Sequence, residues 1–290
     1  LEEEMESKNR NWVIILIVVL VVACLCMVLL TVAGAGWALL RVERSTSFDL
    51  DFGEEGRHRA ERTYEVDEPL FVVVKNFAGT VIVRRGESDE LRLATTKKAR
   101  SRNDLDKIKL EVNRRNGNFE IETKTAARMN NATVELELTV PERTSLEVRT
   151  GAGTVDVRGL TGLVDIECGA GTVLLRDIQG ETGVDLGSGT IDAQAVTGNV
   201  HMSTGAGTIN YEGEPMGDCR FESGAGAIAL RLPEELNMEV DLKTAIGEVE
   251  VEYRVDGDIS KRRVRGVVGT GSEGSIRAHT GVGAVSVEAR

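Results

Sequence analysis

A short phrase recurs along the chain at intervals of eighteen residues. It reads GAGTVDV from Gly151, GAGTVLL from Gly169, GSGTIDA from Gly187 and GAGTINY from Gly205. A further copy, GAGAIAL, begins at Gly224, one residue late. A fixed period of this size means one structural unit stacked on copies of itself. The repeat therefore sets the fold of the C-terminal half, and it makes that half a scaffold before it is a site.

Within one unit, Leu163 to Gly180, alternate residues are apolar: Val164, Ile166 and Cys168, then Val173 and Leu175. Their neighbours Asp165, Glu167 and Arg176 are polar. Period-two alternation is the mark of strands with one buried face. The GAG corner separates two such runs, and glycine there permits a backbone that a side chain would strain. Eighteen residues are too few for a repeat containing a helix and suit one coil of a β-solenoid. The expected interior stack is Val155, Val173, Ile191, Ile209 and Ile228, and Thr154, Thr172, Thr190 and Thr208 fall in one register as a ladder. About eight coils at the spacing of paired strands make a rod roughly 40 Å long.

The pattern continues in both directions. NFAGTVIV from Asn76 resembles the phrase, VDLKTAIGEVEVEY from Val240 has lost the first glycine, and SIRAHTGVGAVSV from Ser275 regains it at Gly281. YRVDGDISKRRVRG from Tyr253 reads as a widened loop. From Tyr64, runs such as PLFVVVKN, LRLATT, IKLEVN, FEIETK and VELELTVP are strands divided by Gly, Asn, Asp or Ser. SRNDLDKIKLEV from Ser101 has room for one helical turn. The fold class is thus all-β, with coils of about eighteen residues preceded by one N-terminal transmembrane helix. The expected segments are a tail over 1–11, an anchor over 12–40, a juxtamembrane linker over 41–62, an N-terminal β region over 63–143 and the repeats over 144–290.

The anchor is read from the absence of charge between Trp12 and Leu40. That run exceeds the roughly 20 apolar residues that cross a bilayer, and Trp12 and Trp37 bracket it as an interfacial belt would. Ala33-Gly34-Ala35 resembles a signal-peptidase site and VVAC ending at Cys24 a lipoprotein box, but the run before the first is too long and the chain after the second stays apolar. An uncleaved single-pass anchor in the cell membrane is expected, with the N-terminus inside and the remainder extracytoplasmic. Lys8 and Arg10 on one flank against Arg41 and Arg44 on the other leave the orientation open on charge alone.

A net charge of −12 argues against a nucleic-acid partner. The Lys- and Arg-rich stretch 97–128, from Lys97 and Lys98 to Arg114 and Arg115, reads as solvated strand faces and loops, with contact to an anionic surface as the alternative. His58, His201 and His279 form no metal-ligand spacing, and Cys168 and Cys219 sit in inward slots as buried thiols. Asp156 and Asp192 occupy the slot of a calcium-binding β-roll, but Leu174, Asn210 and Ala229 fill the same slot in other coils. Asp165 and Asp185 point outward on nearby coils, as the acids of pectin-cleaving β-helices do. Both Trp lie in the anchor and Tyr211 is inward, which weakens a sugar-binding reading. No catalytic, cofactor-binding or metal residue is assigned.

VPERTSLEVRTGAGTVDV from Val140, with NFAGTVIV, the Val140-Pro141 step and the G-x-G-[TA]-[VI] coils, resembles the bacterial "putative adhesin" or toastrack family of unknown function over residues 64–290. The resemblance implies a right-handed single-stranded β-solenoid, often tethered by one transmembrane helix, in some members alongside cell-envelope stress systems. It carries no active site. The expected function is a non-enzymatic, membrane-anchored scaffold or interaction module tied to envelope stress sensing or adhesion. The alternative is a polysaccharide-active β-helix enzyme. Expected partners are the bilayer, a protein or envelope component, and a second copy through the end coil, placed at the C-terminal strand AVSVEAR that ends at Arg290.

Overall fold

The computed structural model describes residues 56–125 and 132–290. The tail and anchor expected over 1–40 lie outside the described residues. Among those described, no helix is long and apolar enough to cross a membrane. The described chain from Gly56 onward belongs to one compact unit, Phe52–Arg290, and it is all-β.

The repeats form the middle of this unit. Strands β8 (Thr144–Arg158), β9 (Val164–Gln179), β10 (Thr182–Gly198) and β11 (Val200–Pro215) each run through the GAG corner without a break. They pair in parallel with matching residues eighteen apart: Val155 faces Val173, Val173 faces Ile191, and Ile191 faces Ile209. The expected interior stack is therefore present, and all four side chains are fully buried. The ladder of Thr154, Thr172, Thr190 and Thr208 is present too. Burial of each such aliphatic side chain contributes roughly 1.5–3 kcal/mol.

Each coil places its first half in one row of strands and its second half in another. In the front row, β2 (Leu70–Asn76) pairs with the first half of β8, and β6 (Asn118–Lys124) pairs with β2. In the back row, β3 (Gly79–Arg85) pairs with the second half of β8, and β7 (Thr133–Val140) pairs with β3. NFAGTVIV is thus a true copy, with Gly79 opposite Gly153. The β6/β7 coil lies outside the earlier β2/β3 coil. Three antiparallel strands close this end: β5 (Lys109–Arg115) on β6, β4 (Glu90–Lys98) on β7, and β1 (Arg57–Glu65) on β4. The helical turn expected after Ser101 is α1 (Arg102–Leu105), with the Ser101 hydroxyl accepting from the Asp104 amide.

Two features differ from the sequence reading. Strand β1 starts at Arg57, inside the stretch read as linker. Among the described residues it is an outer strand paired only with β4, so it needs no alternating apolar face, and its charges blunt the edge away from β4. The larger difference is at the C-terminus. Beyond β11 lie β12 (Gly217–Ala225) in the front row and β13 (Ile228–Leu232) in the back row. The next coil in space is the last in sequence, β18 (Gly274–Val282) and β19 (Val285–Ala289). The coil β14 (Glu239–Ile246) and β15 (Val249–Val251) stacks outside it. The C-terminal strand is therefore an interior strand, flanked by β13 and β15, and cannot be the open end expected of it. The supposed widened loop supplies the reason. It forms a hairpin of β16 (Val255–Ser260) and β17 (Arg263–Val268), and β17 pairs antiparallel with β14. The hairpin closes that end, so the chain must return to the gap left inside.

The one-residue delay before Gly224 arises in the link into β12. β11 lacks the extra residue that β10 carries at Ala195 (φ 53°), so Gly198 faces Pro215, seventeen residues on, and the link then adds two, so that His201 faces Arg220, nineteen on. Tyr211, fully buried in β11, donates its hydroxyl to the Val196 carbonyl at 2.9 Å. A buried carbonyl without a partner would cost about 1–3 kcal/mol. Burial drives the Tyr211 phenol well above its ordinary pKa, so it stays a donor.

Candidate functional site

Alternation in the front row sends Leu146, Val148, Val164 and Ile166 inward and Glu147, Arg149, Asp165 and Glu167 outward. The eighteen-residue register then sets the outward groups side by side. Glu147 lies opposite Asp165, Arg149 opposite Glu167, and Glu167 opposite Asp185. Four carboxylates on three adjacent coils thus share one patch with a single guanidinium. Arg149 Nε lies 2.7 Å from Glu147 Oε1 and 3.6 Å from Glu167 Oε2. Asp185 Oδ1 accepts a hydrogen bond from the Ser203 hydroxyl on the next coil. Gly183, opposite Asp165, leaves room beside the carboxylate: a Cβ there would lie 2.9 Å from Asp165 Oδ1.

The electrostatics follow from this crowding. Partial burial pushes the Asp165 carboxyl above its ordinary pKa, and the charges of Glu147, Glu167 and Asp185 add to the shift while Arg149 opposes it. An acid raised in the folded state stabilises the fold fully below its ordinary value, and that contribution is lost as pH rises through the folded value. Ionised Asp165 is therefore a cost at neutral pH. Asp165→Asn is expected to melt higher than the parent at neutral pH, with the difference gone below the ordinary value of 3.8. Thermal melts at the two pH values check this; an unchanged or lower melting temperature at neutral pH would count against it.

The patch can hold a proton, accept hydrogen bonds and attract a cationic group. Among the described residues, no group of three His, Cys, Asp or Glu is placed to hold a metal ion. The slots singled out as calcium-like are not brought together. Asp156 faces Leu174, which faces Asp192, and Asp156 is held by Arg158 at 2.8 and 2.6 Å. His201 stands between Gly183 and Arg220, and His279 between Glu222 and Lys243. Cys168 and Cys219 are buried free thiols, and burial raises both above the ordinary thiol pKa. Asp165 and Asp185 do share a surface, offset by one slot on adjacent coils. The sequence reading misses their companions Glu147 and Glu167. The signal is there: each lies two residues from an outward slot of the repeat and eighteen from another.

No known family profile matches the chain, and no curated protein matches it. Among solved structures, it is similar to a putative cell adhesion protein from Clostridium sporogenes, at 14% identity over 80% of this chain and 100% of that one, with a TM-score of 0.34. A putative adhesin from Bacteroides fragilis matches at 12% identity over 80% of this chain and 97% of that one, TM-score 0.36. A putative adhesin from Parabacteroides merdae matches at 8% identity over 82% and 98%, TM-score 0.37.

Proposed function

We propose that this protein is a non-enzymatic interaction module, a right-handed β-solenoid held at the membrane by its N-terminal apolar segment and displayed on the extracytoplasmic side. Its coils present the acidic front-row patch to a cationic group of a protein or envelope component, in adhesion or in sensing of envelope stress. The observation that supports this is the fixed register of Glu147, Asp165, Glu167 and Asp185 on paired strands. Interior strands fix the backbone spacing of these side chains in advance, so binding has only their rotamers left to order. The patch lies on the outer surface of the sheet row, where a broad partner can reach it.

The polysaccharide-active alternative draws on the same residues, since Asp165 with a raised pKa beside Asp185 and Arg149 resembles an acid and its charged neighbours. One experiment separates the two. The full chain and its E147Q/D165N/E167Q/D185N variant are incubated with purified envelope sacculi and with acidic and neutral polysaccharides. Co-sedimentation with sacculi that the variant loses, without new reducing ends, supports the interaction module. Release of reducing ends that Asp165→Asn abolishes would replace it with the enzyme.

A further inference from the structure

The topology gathers basic residues at one end of the stack. Strands β1, β4 and β5 all lie outside the outermost coil, and α1 connects two of them. β1, β4 and residues 99–115 carry twelve Lys or Arg against six Asp or Glu, in a chain whose net charge is −12. Three of the twelve are ion-paired: Arg92 with Glu90, Lys98 with Glu135 and Lys107 with Asp104. Among the described residues, the other nine have no carboxylate within 4.0 Å. Eight of these nine are exposed. The opposite end is balanced, since residues 248–265 hold five acidic and five basic groups.

The basic groups also enclose a shape. Arg57, His58, Lys97 and Arg102 line a recess of about 590 Å³ floored by Leu105 and Ile108, with Asp106 as its one carboxylate. Lys97 is half-buried there and donates to the Ile108 carbonyl at 2.5 Å. Burial, reinforced by Arg62, lowers its pKa, as expected of a cation set among cations. An anion entering the recess would relieve that repulsion.

From these observations we infer that this capped end is a docking surface for anionic phospholipid headgroups. The inference rests on the anchored reading given above. A flat headgroup plane meets the cap alone, whereas a long polyanion lying along the coils would also meet the acidic patch. Sixteen residues, 41–56, separate Leu40, the last residue of the charge-free run, from Arg57, a contour of at most about 60 Å.

The test uses the full chain in nanodiscs of phosphatidylcholine alone or mixed with phosphatidylglycerol, followed by hydrogen exchange. Slower exchange in β1 and residues 99–108 with phosphatidylglycerol only, reversed by salt, is the expected result. Each Arg→Gln change at Arg57 or Arg59, both exposed, should lower the docked-to-free ratio about fivefold. Lys97→Gln adds the recess, and the two surface variants keep the test valid if it misfolds. Equal exchange in the two lipids overturns the inference. So does competition by inorganic phosphate beyond that of chloride at the same ionic strength, which would assign the recess to a small anion, or tighter protection by duplex DNA at the same salt. Loss of the chain from neutral nanodiscs with retention on anionic ones would sink the anchor and spare the docking surface.

Discussion

Gly189→Ala is expected to cost about 2–6 kcal/mol, the sum of a forbidden backbone conformation and an overpacked corner. Gly189 has φ 133°, a region that L side chains rarely adopt. It is stacked between Gly171 and Gly207, and a Cβ on it would collide with the Gly171 carbonyl oxygen. The obstacle is backbone, so no rotamer relieves it. The neighbouring coils cannot move apart without breaking ladder bonds on both rows. Gly117→Ala is the control. It also has positive φ (83°), yet a Cβ there meets nothing within 4 Å, so it should cost only about 1–2 kcal/mol of backbone strain. Urea unfolding of both variants measures the difference. Equal losses would mean that close approach of the coils does not hold the corner together.

The same close approach explains why so much of the middle is legible in the sequence. A corner that tolerates only glycine, flanked by alternating apolar slots, leaves a mark in every coil, so the spacing alone places Val155, Val173, Ile191 and Ile209 one above another. What the period does not encode is which coil lies next to which. The coils ending in Val249–Val251 and Val285–Ala289 have similar slots, and both could follow GAGAIAL. Their spatial order is decided by the β16–β17 hairpin, whose pairing with β14 occupies the outer edge. That hairpin reads as a loop because β16 buries only Val255 and so carries no alternating apolar face. The candidate sites divide along the same line. Asp165 and Asp185 are visible as outward slots of the repeat. The basic cap is visible only in part: the stretch 97–128 stands out as rich in Lys and Arg, but Arg57 joins Lys97 and Arg102 only through antiparallel strands that the repeat does not govern.

Val287→Pro is expected to destabilise the protein by about 3 kcal/mol or more. Had the C-terminal strand been an open end, proline there would have removed bonding capacity that nothing used. Val287 instead lies between Leu230 of β13 and Val251 of β15, is 2% exposed, and accepts from the Glu252 amide at 3.0 Å. Proline in an interior strand deletes a ladder donor and pushes its ring against the neighbouring strand. The damage should spread outward, because β15 has no partner among the described strands except β19. Hydrogen exchange should therefore rise first in Val249–Val251 and in the hairpin beyond, and less in β8 to β10. Glu288→Ala gives the contrast, since it removes only an exposed contact with Arg231 at 3.3 Å and should cost under about 1 kcal/mol. If Val287→Pro were as mild as Glu288→Ala, the C-terminal strand would not be seated inside the stack. The placement of β14 and β15 beyond it would then have to be given up as well.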